Sequence, residues 1–228
     1  MKNYQTISIE GSDGAGKATT TDLLKEYLIK KLDKKVATLS FPRYYSSTLG
    51  GNLLREVLKS ERASEYDFIN RNPKLASLLY VMDRAESKEE INKMISENDF
   101  LIFDRYVASN FIHQGGKITD DKEREDLISF LSNLEYGEFQ LPKPDITFFL
   151  YLPTEIAMKN KENQRLLGQN VKMDAGENDP IYLENSNKSG LWCIEKYGWQ
   201  KINCFDEIKK SQKSKEEVLD EILKILGI

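Results

Sequence analysis

The chain has 228 residues, 39% of them hydrophobic and 31% charged, and a formal net charge of −4. Such a composition is that of a globular domain large enough to bury a core without disulfide or metal staples. The acidic balance argues against a nucleic-acid-binding surface, and no apolar run approaches the ~18 residues that a membrane span needs. Residues 4–10 read as a first strand, with no signal-peptide pattern before them. Gly11-Ser12-Asp13-Gly14-Ala15-Gly16-Lys17 follows, then a helical pattern over 19–32. Strand, glycine-rich turn and helix is the context that makes G-x-x-x-x-G-K a phosphate site. The glycines let backbone N–H groups converge on phosphate oxygens, the helix N-terminus adds partial positive charge, and Lys17 adds a full one. Lys17 is expected to face solvent and to contribute charge rather than packing. Ala18 stands where such loops place a magnesium-binding hydroxyl, and Thr19 is about 100° further round the helix.

A second strand is expected over 36–41, followed by Pro42-Arg43-Tyr44 and a helix over 49–59. Residues 61–72 are polar and read as a loop or short helix. One long helix is expected over 73–98, carrying Tyr80 and Asp83-Arg84. An arginine among Leu79, Tyr80, Val81 and Met82 either meets an anion or acceptor or lies on a solvated face. Tyr80, one turn before it, either stacks on a ligand or belongs to the core. The third strand, 100–104, ends in Asp104. That acid is either a magnesium-serving carboxylate or a turn residue. Arg105 follows it, with a fork suited to phosphate oxygens.

Further helices are expected over 123–134, 154–161, 187–197 and 215–226, and further strands over 146–152 and 201–204. The polar stretch 160–187 reads as a lid or insertion. Cys193 and Cys204 have no metal-site or C-x-x-C spacing and fit a reducing, cytoplasmic compartment. Strands separated by helices predict an α/β three-layer αβα domain over 1–228 with a five-stranded parallel sheet, its ligands beyond the strands' carboxyl ends.

The chain resembles thymidylate kinases, P-loop nucleoside monophosphate kinases that transfer a phosphoryl group from ATP to dTMP. The resemblance rests on Glu10 to Lys17, on Phe41-Pro42-Arg43-Tyr44, on Asp83-Arg84, and on Asp104-Arg105-Tyr106 with Ser109-Asn110. Leu141-Pro142-Lys143-Pro144-Asp145 before the fourth strand belongs to it too. It implies ATP bound by residues 11–19 and magnesium held through Asp104. Asp13 would lie near the sugar or the metal, Lys17 at the transferred group, and Arg105 between donor and acceptor phosphates. Phe41, Pro42, Arg43 and Tyr44 would surround the acceptor phosphate. Tyr80 would stack on thymine, Arg84 would donate to its O4, and Asn110 would bond the base edge. Ser109, His113, Gln114 and Tyr182 would stand near sugar and base. The resemblance further implies a homodimer, with neither nucleic acid nor membrane as partner.

Two positions depart from the family pattern. One is Ala18. The other is the segment 174–177, where Gly176 stands in place of a histidine, in a lid offering Arg165, Lys161 and Lys172 as catalytic cations. The rival readings are a kinase for another nucleoside monophosphate and a nucleotide-binding module without catalysis. A GTPase lacks support, because no Asn-Lys-x-Asp motif is present.

Overall fold

The computed structural model describes residues 5–12, 14–46, 49–166 and 179–228, with the side chains of 161 and 163–166 excluded. Five strands form one parallel sheet: β1 (Thr6–Gly11), β2 (Val36–Ser40), β3 (Phe100–Asp104), β4 (Ile146–Tyr151) and β5 (Gln200–Asn203), in the order β2-β3-β1-β4-β5. All five strands fall where the alternation of apolar runs places them. Ile9 pairs with Asp104 and with Phe148, so β1 is hydrogen-bonded along both edges. A short antiparallel ribbon, β6 (Phe205–Asp206) with β7 (Ser211–Gln212), has only two residues per strand and leaves no periodic signal.

Helices cover both faces of the sheet. Helices α1 (Lys17–Leu32) and α10 (Lys215–Leu226) meet a core of Ile7, Ile9, Leu24, Ile102, Phe148 and Ile222. The opposite core joins Leu101, Phe103 and Tyr106 to α6 (Val107–His113), α7 (Asp121–Ser132) and α9 (Pro180–Tyr197) through Phe111, Leu131 and Cys193. Leu101 and Phe103 point one way and Ile102 the other, the period of two expected of a strand covered on both faces. A third cluster packs α2 (Gly50–Lys59) on α4 (Pro73–Glu86) through Leu54, Val57, Leu58 and Leu79.

Local signals set the helix ends. Asn72 accepts from the Leu75 N–H with Pro73 at the first turn of α4, and Asp179 does the same for α9 ahead of Pro180. Ser214 and Glu217 form a reciprocal capping box on α10, and Gly227 closes it in the left-handed conformation.

Two expectations are corrected: the single helix over 73–98 and the bounds of the helices that flank the expected lid. The helix expected over 73–98 is divided into α4 and α5 (Lys88–Glu97). At the division the Ser87 N–H bonds Arg84 O at 3.1 Å, and its hydroxyl bonds Asp83 O at 3.0 Å. A serine that satisfies backbone carbonyls itself offers the chain an alternative to the regular helix ladder. Residues 61–72, expected as a loop or short helix, contain a 3-10 turn, Ala63–Tyr66, and the short α3 (Asp67–Arg71). After α7 the chain widens into a π-helical turn, Asn133–Glu138, a form that recurs at functional sites. At the expected lid, α8 (Thr154–Leu166) and α9 extend helix into both ends of the segment.

Helix α2 meets α4 across Gly50. The N–H groups of Leu49 and Gly50 donate to the Glu86 carboxylate at 3.0 and 3.2 Å, which caps the helix N-terminus with negative charge. A Cβ at position 50 would lie 2.4 Å from Asp83 Cα and 2.4 Å from its N, both backbone atoms. Gly50→Ala therefore forces the helices apart. Overpacking of this kind costs about 1–3 kcal/mol, and urea unfolding with unchanged slope reads it as a lower midpoint.

Candidate active site

The phosphate loop stands on the central strand. Gly11, at φ 146°, brings the backbone against β4: a Cβ there would lie 2.5 Å from Leu150 O. Gly14 and Gly16 take φ of 82° and 85°, the left-handed region that favours glycine. Gly16 precedes α1 directly, so the helix N-terminus opens at the loop. The Lys17 ammonium donates to Gly11 O at 3.0 Å and to Ser12 O at 2.9 Å. Lys17 is only 7% exposed, which corrects the expectation of a solvent-facing side chain. A loop this tightly curved turns carbonyls inward, and the nearest cation satisfies them. Ala15 is buried, whereas Ala18 and Thr19 are exposed on the first turn of α1. Among the described residues Ser12 Oγ is buried without a hydrogen-bond partner. Asp13, Lys172 and the 174–177 segment lie outside the described residues, as do the side chains of Lys161 and Arg165.

Beside the loop runs the segment after β3. Burial pushes the Asp104 carboxyl above its ordinary value, and the nearby charges of Lys17 and Arg105 oppose this. Arg105 has φ 66°, and its N–H bonds Ile9 O at 3.1 Å. Its guanidinium meets His113 Nε2 at 2.9 Å, and His113 Nδ1 meets Tyr182 Oη at 3.1 Å. A guanidinium only donates, so Nε2 accepts, the imidazole proton sits on Nδ1, and Tyr182 accepts it. Behind these groups Glu10 is fully buried. Its carboxylate accepts from Ser8 Oγ (2.8 Å), the Tyr106 N–H (2.7 Å) and Ser109 Oγ (2.6 Å). Burial raises its pKa against the pull of these donors.

One cavity opens from Arg105. Phe41, Pro42 and Tyr44 form one wall, the Phe41–Pro42 bond being cis. Tyr80 and Arg84 of α4 form another, and Ser109, Asn110, His113 and Gln114 a third, with Tyr182 reaching in from α9. Twelve expected substrate contacts lie within the described residues, and Arg43 alone is absent from this lining. Its N–H bonds Asp83 Oδ2 at 2.8 Å, and its guanidinium donates to Ser87 Oγ at 2.9 Å and to Glu90 at 2.5 Å. It ties the loop after β2 to α4 and α5 instead. Among the described residues Gln114 Oε1 is buried in the wall without a hydrogen-bond partner, an orphaned acceptor of the kind a ligand donor satisfies.

Arg84 is 2% exposed, and the open choice at this position resolves to an anion: both oxygens of the fully buried Glu135. Sequence reasoning missed Glu135. Its signal was present, for Glu135 continues the four-residue spacing of the buried Leu127 and Leu131, and a charge on a buried face demands a partner. It also missed Leu58, Asn70 and Lys117 in the cavity wall, where Tyr106 of the Asp104-Arg105-Tyr106 motif also lies. Lys117 has no ion pair among the described residues; its ammonium donates to Asn70 O at 2.7 Å, and burial pulls its pKa from 10.5 down to about 8.

That depression fixes a sign. Between about pH 8 and 10.5 the unfolded chain binds more protons at Lys117 than the folded chain does, so this group's contribution to stability rises with pH. Lys117→Met removes the penalty. The melting temperature of the variant relative to wild type is expected to fall by a few degrees as pH rises from 7.5 to about 10. A pH series of thermal melts on both proteins checks this; a constant difference contradicts it.

Comparison with known proteins agrees with this geometry. A family profile described as thymidylate kinase matches residues 9–204. The thymidylate kinase of Thermosipho melanesiensis is 34% identical over 165 residues, covering 70% of this chain and 73% of its own. That of Mycobacterium tuberculosis is 32% identical over 151 residues, covering 66% and 67%. The structure of the Candida albicans thymidylate kinase superposes with a TM-score of 0.69 at 22% identity, covering 99% of this chain and 92% of that one, a likeness of fold. On the strength of the profile match across both the phosphate loop and the cavity wall, the chain belongs to the thymidylate kinase family.

Proposed function

We infer that this protein transfers the γ-phosphoryl group of ATP to dTMP, giving ADP and dTDP. The observation that carries the reading is the continuity of one cavity from Arg105, beside the phosphate loop, to Tyr80, Arg84 and Asn110. Such a space holds a monophosphate with its anionic end at the loop and its base between an aromatic ring and an arginine. Phosphoryl transfer depends on positioning and charge neutralisation more than on proton transfer. Lys17 and the α1 N-terminus hold the donor phosphates at residues 11–19, and Lys17 leaves its loop carbonyls for the transferred group. Arg105, steadied by His113, bridges donor and acceptor. Asp13 serves the sugar or the metal, and Arg165, Lys161 or Lys172 supplies a cation from the lid. Tyr44 and Phe41 close the acceptor's phosphate end.

Magnesium, bound with ATP, neutralises charge on the β- and γ-phosphate oxygens. The residues suit it. Among the described residues no three His, Cys, Asp or Glu side chains gather as a cage. The carboxylate of Asp104 beside the loop, with substrate oxygens and water, is the kind of donor set Mg²⁺ favours. Leu75, Leu78 and Met82 make an exposed apolar row on α4, which supports a homodimer through that helix. No helix among the described residues is long and apolar enough to cross a membrane. Cys193 and Cys204 are free and buried, which suits a reducing cytoplasm.

The test is ADP production with a panel of nucleoside monophosphates, with ATP alone as control. Activity with dTMP well above dCMP, dAMP and dGMP is expected; strong turnover of ATP alone contradicts the reading. Ala18→Ser adds a ligand oxygen on the exposed first turn of α1. It is expected to lower the magnesium concentration for half-maximal rate and to leave KM for dTMP within about twofold. Superimposable magnesium titrations would place the metal away from residue 18.

A further inference from the structure

Behind the cavity wall a single carboxylate organises two of its polar residues. Glu135 is fully buried on the π-helical turn after α7. It accepts from Arg84 Nε at 2.5 Å and from Nη2 at 2.7 Å. The Asn110 Nδ2 group stands 3.4 Å from the same carboxylate. A guanidinium has five N–H donors in a fixed fork. The two spent on Glu135 take its Nε–Nη2 edge, which leaves Nη1 and the outer Nη2 proton. Nη1 has one long contact, to Tyr106 O at 3.5 Å. Arg84 and Asn110 both line the cavity, and Glu135 does not. The pair is nearly closed to solvent, so the carboxylate cancels the arginine's charge where water does not.

We propose that Glu135 is a positioning residue for base recognition: it fixes Arg84 and Asn110 and neutralises Arg84, so that this end of the cavity accepts the carbonyl edge of an uncharged base and refuses a phosphate. Without that cancellation the base end of the cavity carries an unbalanced arginine, added to Arg105 and Lys117 in its lining. A monophosphate then gains an anion site beside Arg84, and binding there reverses it. The inference rests on the dTMP kinase reading and says how the site keeps its substrate in one orientation.

Glu135→Gln tests it, since the amide keeps the shape and one acceptor oxygen while removing the charge. Expected are a rise in KM for dTMP of tenfold or more, a KM for ATP within twofold of wild type, and new competitive inhibition by inorganic phosphate against dTMP. The paired variant Arg84→Met/Glu135→Leu replaces the ion pair with apolar side chains and serves if the single variant does not fold. It is expected to lose dTMP affinity to a similar degree without gaining phosphate sensitivity. An unchanged KM for dTMP in either variant overturns the proposal. So does a rise in both KM values together, or a Glu135→Gln enzyme as indifferent to phosphate as wild type. Failure of the underlying kinase reading would show separately, in the wild type, as no ADP formed with dTMP.

Discussion

The carboxylate of Glu10 ties together the two chain segments on which phosphoryl transfer depends. It sits one residue before the phosphate loop and bonds the Tyr106 N–H and Ser109 Oγ, one and four residues beyond Arg105. A carboxylate this deeply buried is costly unless its oxygens are satisfied. Two of its three donors, the Tyr106 N–H and Ser109 Oγ, therefore hold the loop after β1 and the segment after β3 in one mutual placement. Arg105 inherits its position from that constraint and from its own N–H bond to Ile9. The walls on α6 follow, because Ser109, Asn110 and His113 all lie on the helix that Glu10 anchors.

Glu10 and Glu135 divide the cavity between them. The first organises the phosphate end and the second the base end, and both do so from behind the lining. Removing one partner of a buried ion pair costs about 3–5 kcal/mol, whereas replacing both by apolar groups is often neutral. An Arg84 truncation alone thus mixes lost recognition with a stranded carboxylate, and the two effects separate only when the pair is changed together.

The sheet and the phosphate loop were legible in the sequence because their signals are local. Apolar runs such as 100–104 and 146–152 and the glycines at 11, 14 and 16 need no knowledge of distant chain. Tyr80, Asn110 and Tyr182 line the cavity. What could not be read depended on partners far away in sequence. Glu135 lies 51 residues from Arg84, and its spacing, which marks it as lying on a buried face, does not name that partner. Arg43 pairs with Glu90, 47 residues away, a partner its own surroundings in the sequence do not show. Lys17 was misjudged because a loop sequence does not show which way its carbonyls turn. The break at Ser87 is a hydroxyl competing for helix carbonyls, too small a feature for any periodicity.

His113 is the chain's only histidine, and it stands between Arg105 and Tyr182. Its two ring nitrogens report on different neighbours: Nε2 on the arginine between the phosphates, Nδ1 on the first turns of α9. A nitrogen NMR spectrum of labelled protein holds one pair of imidazole signals, with no assignment problem. The site thus carries its own spectroscopic gauge. A nucleotide that draws Arg105 away shifts the Nε2 resonance, and one that displaces Tyr182 shifts the other, so the arrival of each substrate is readable at a single residue.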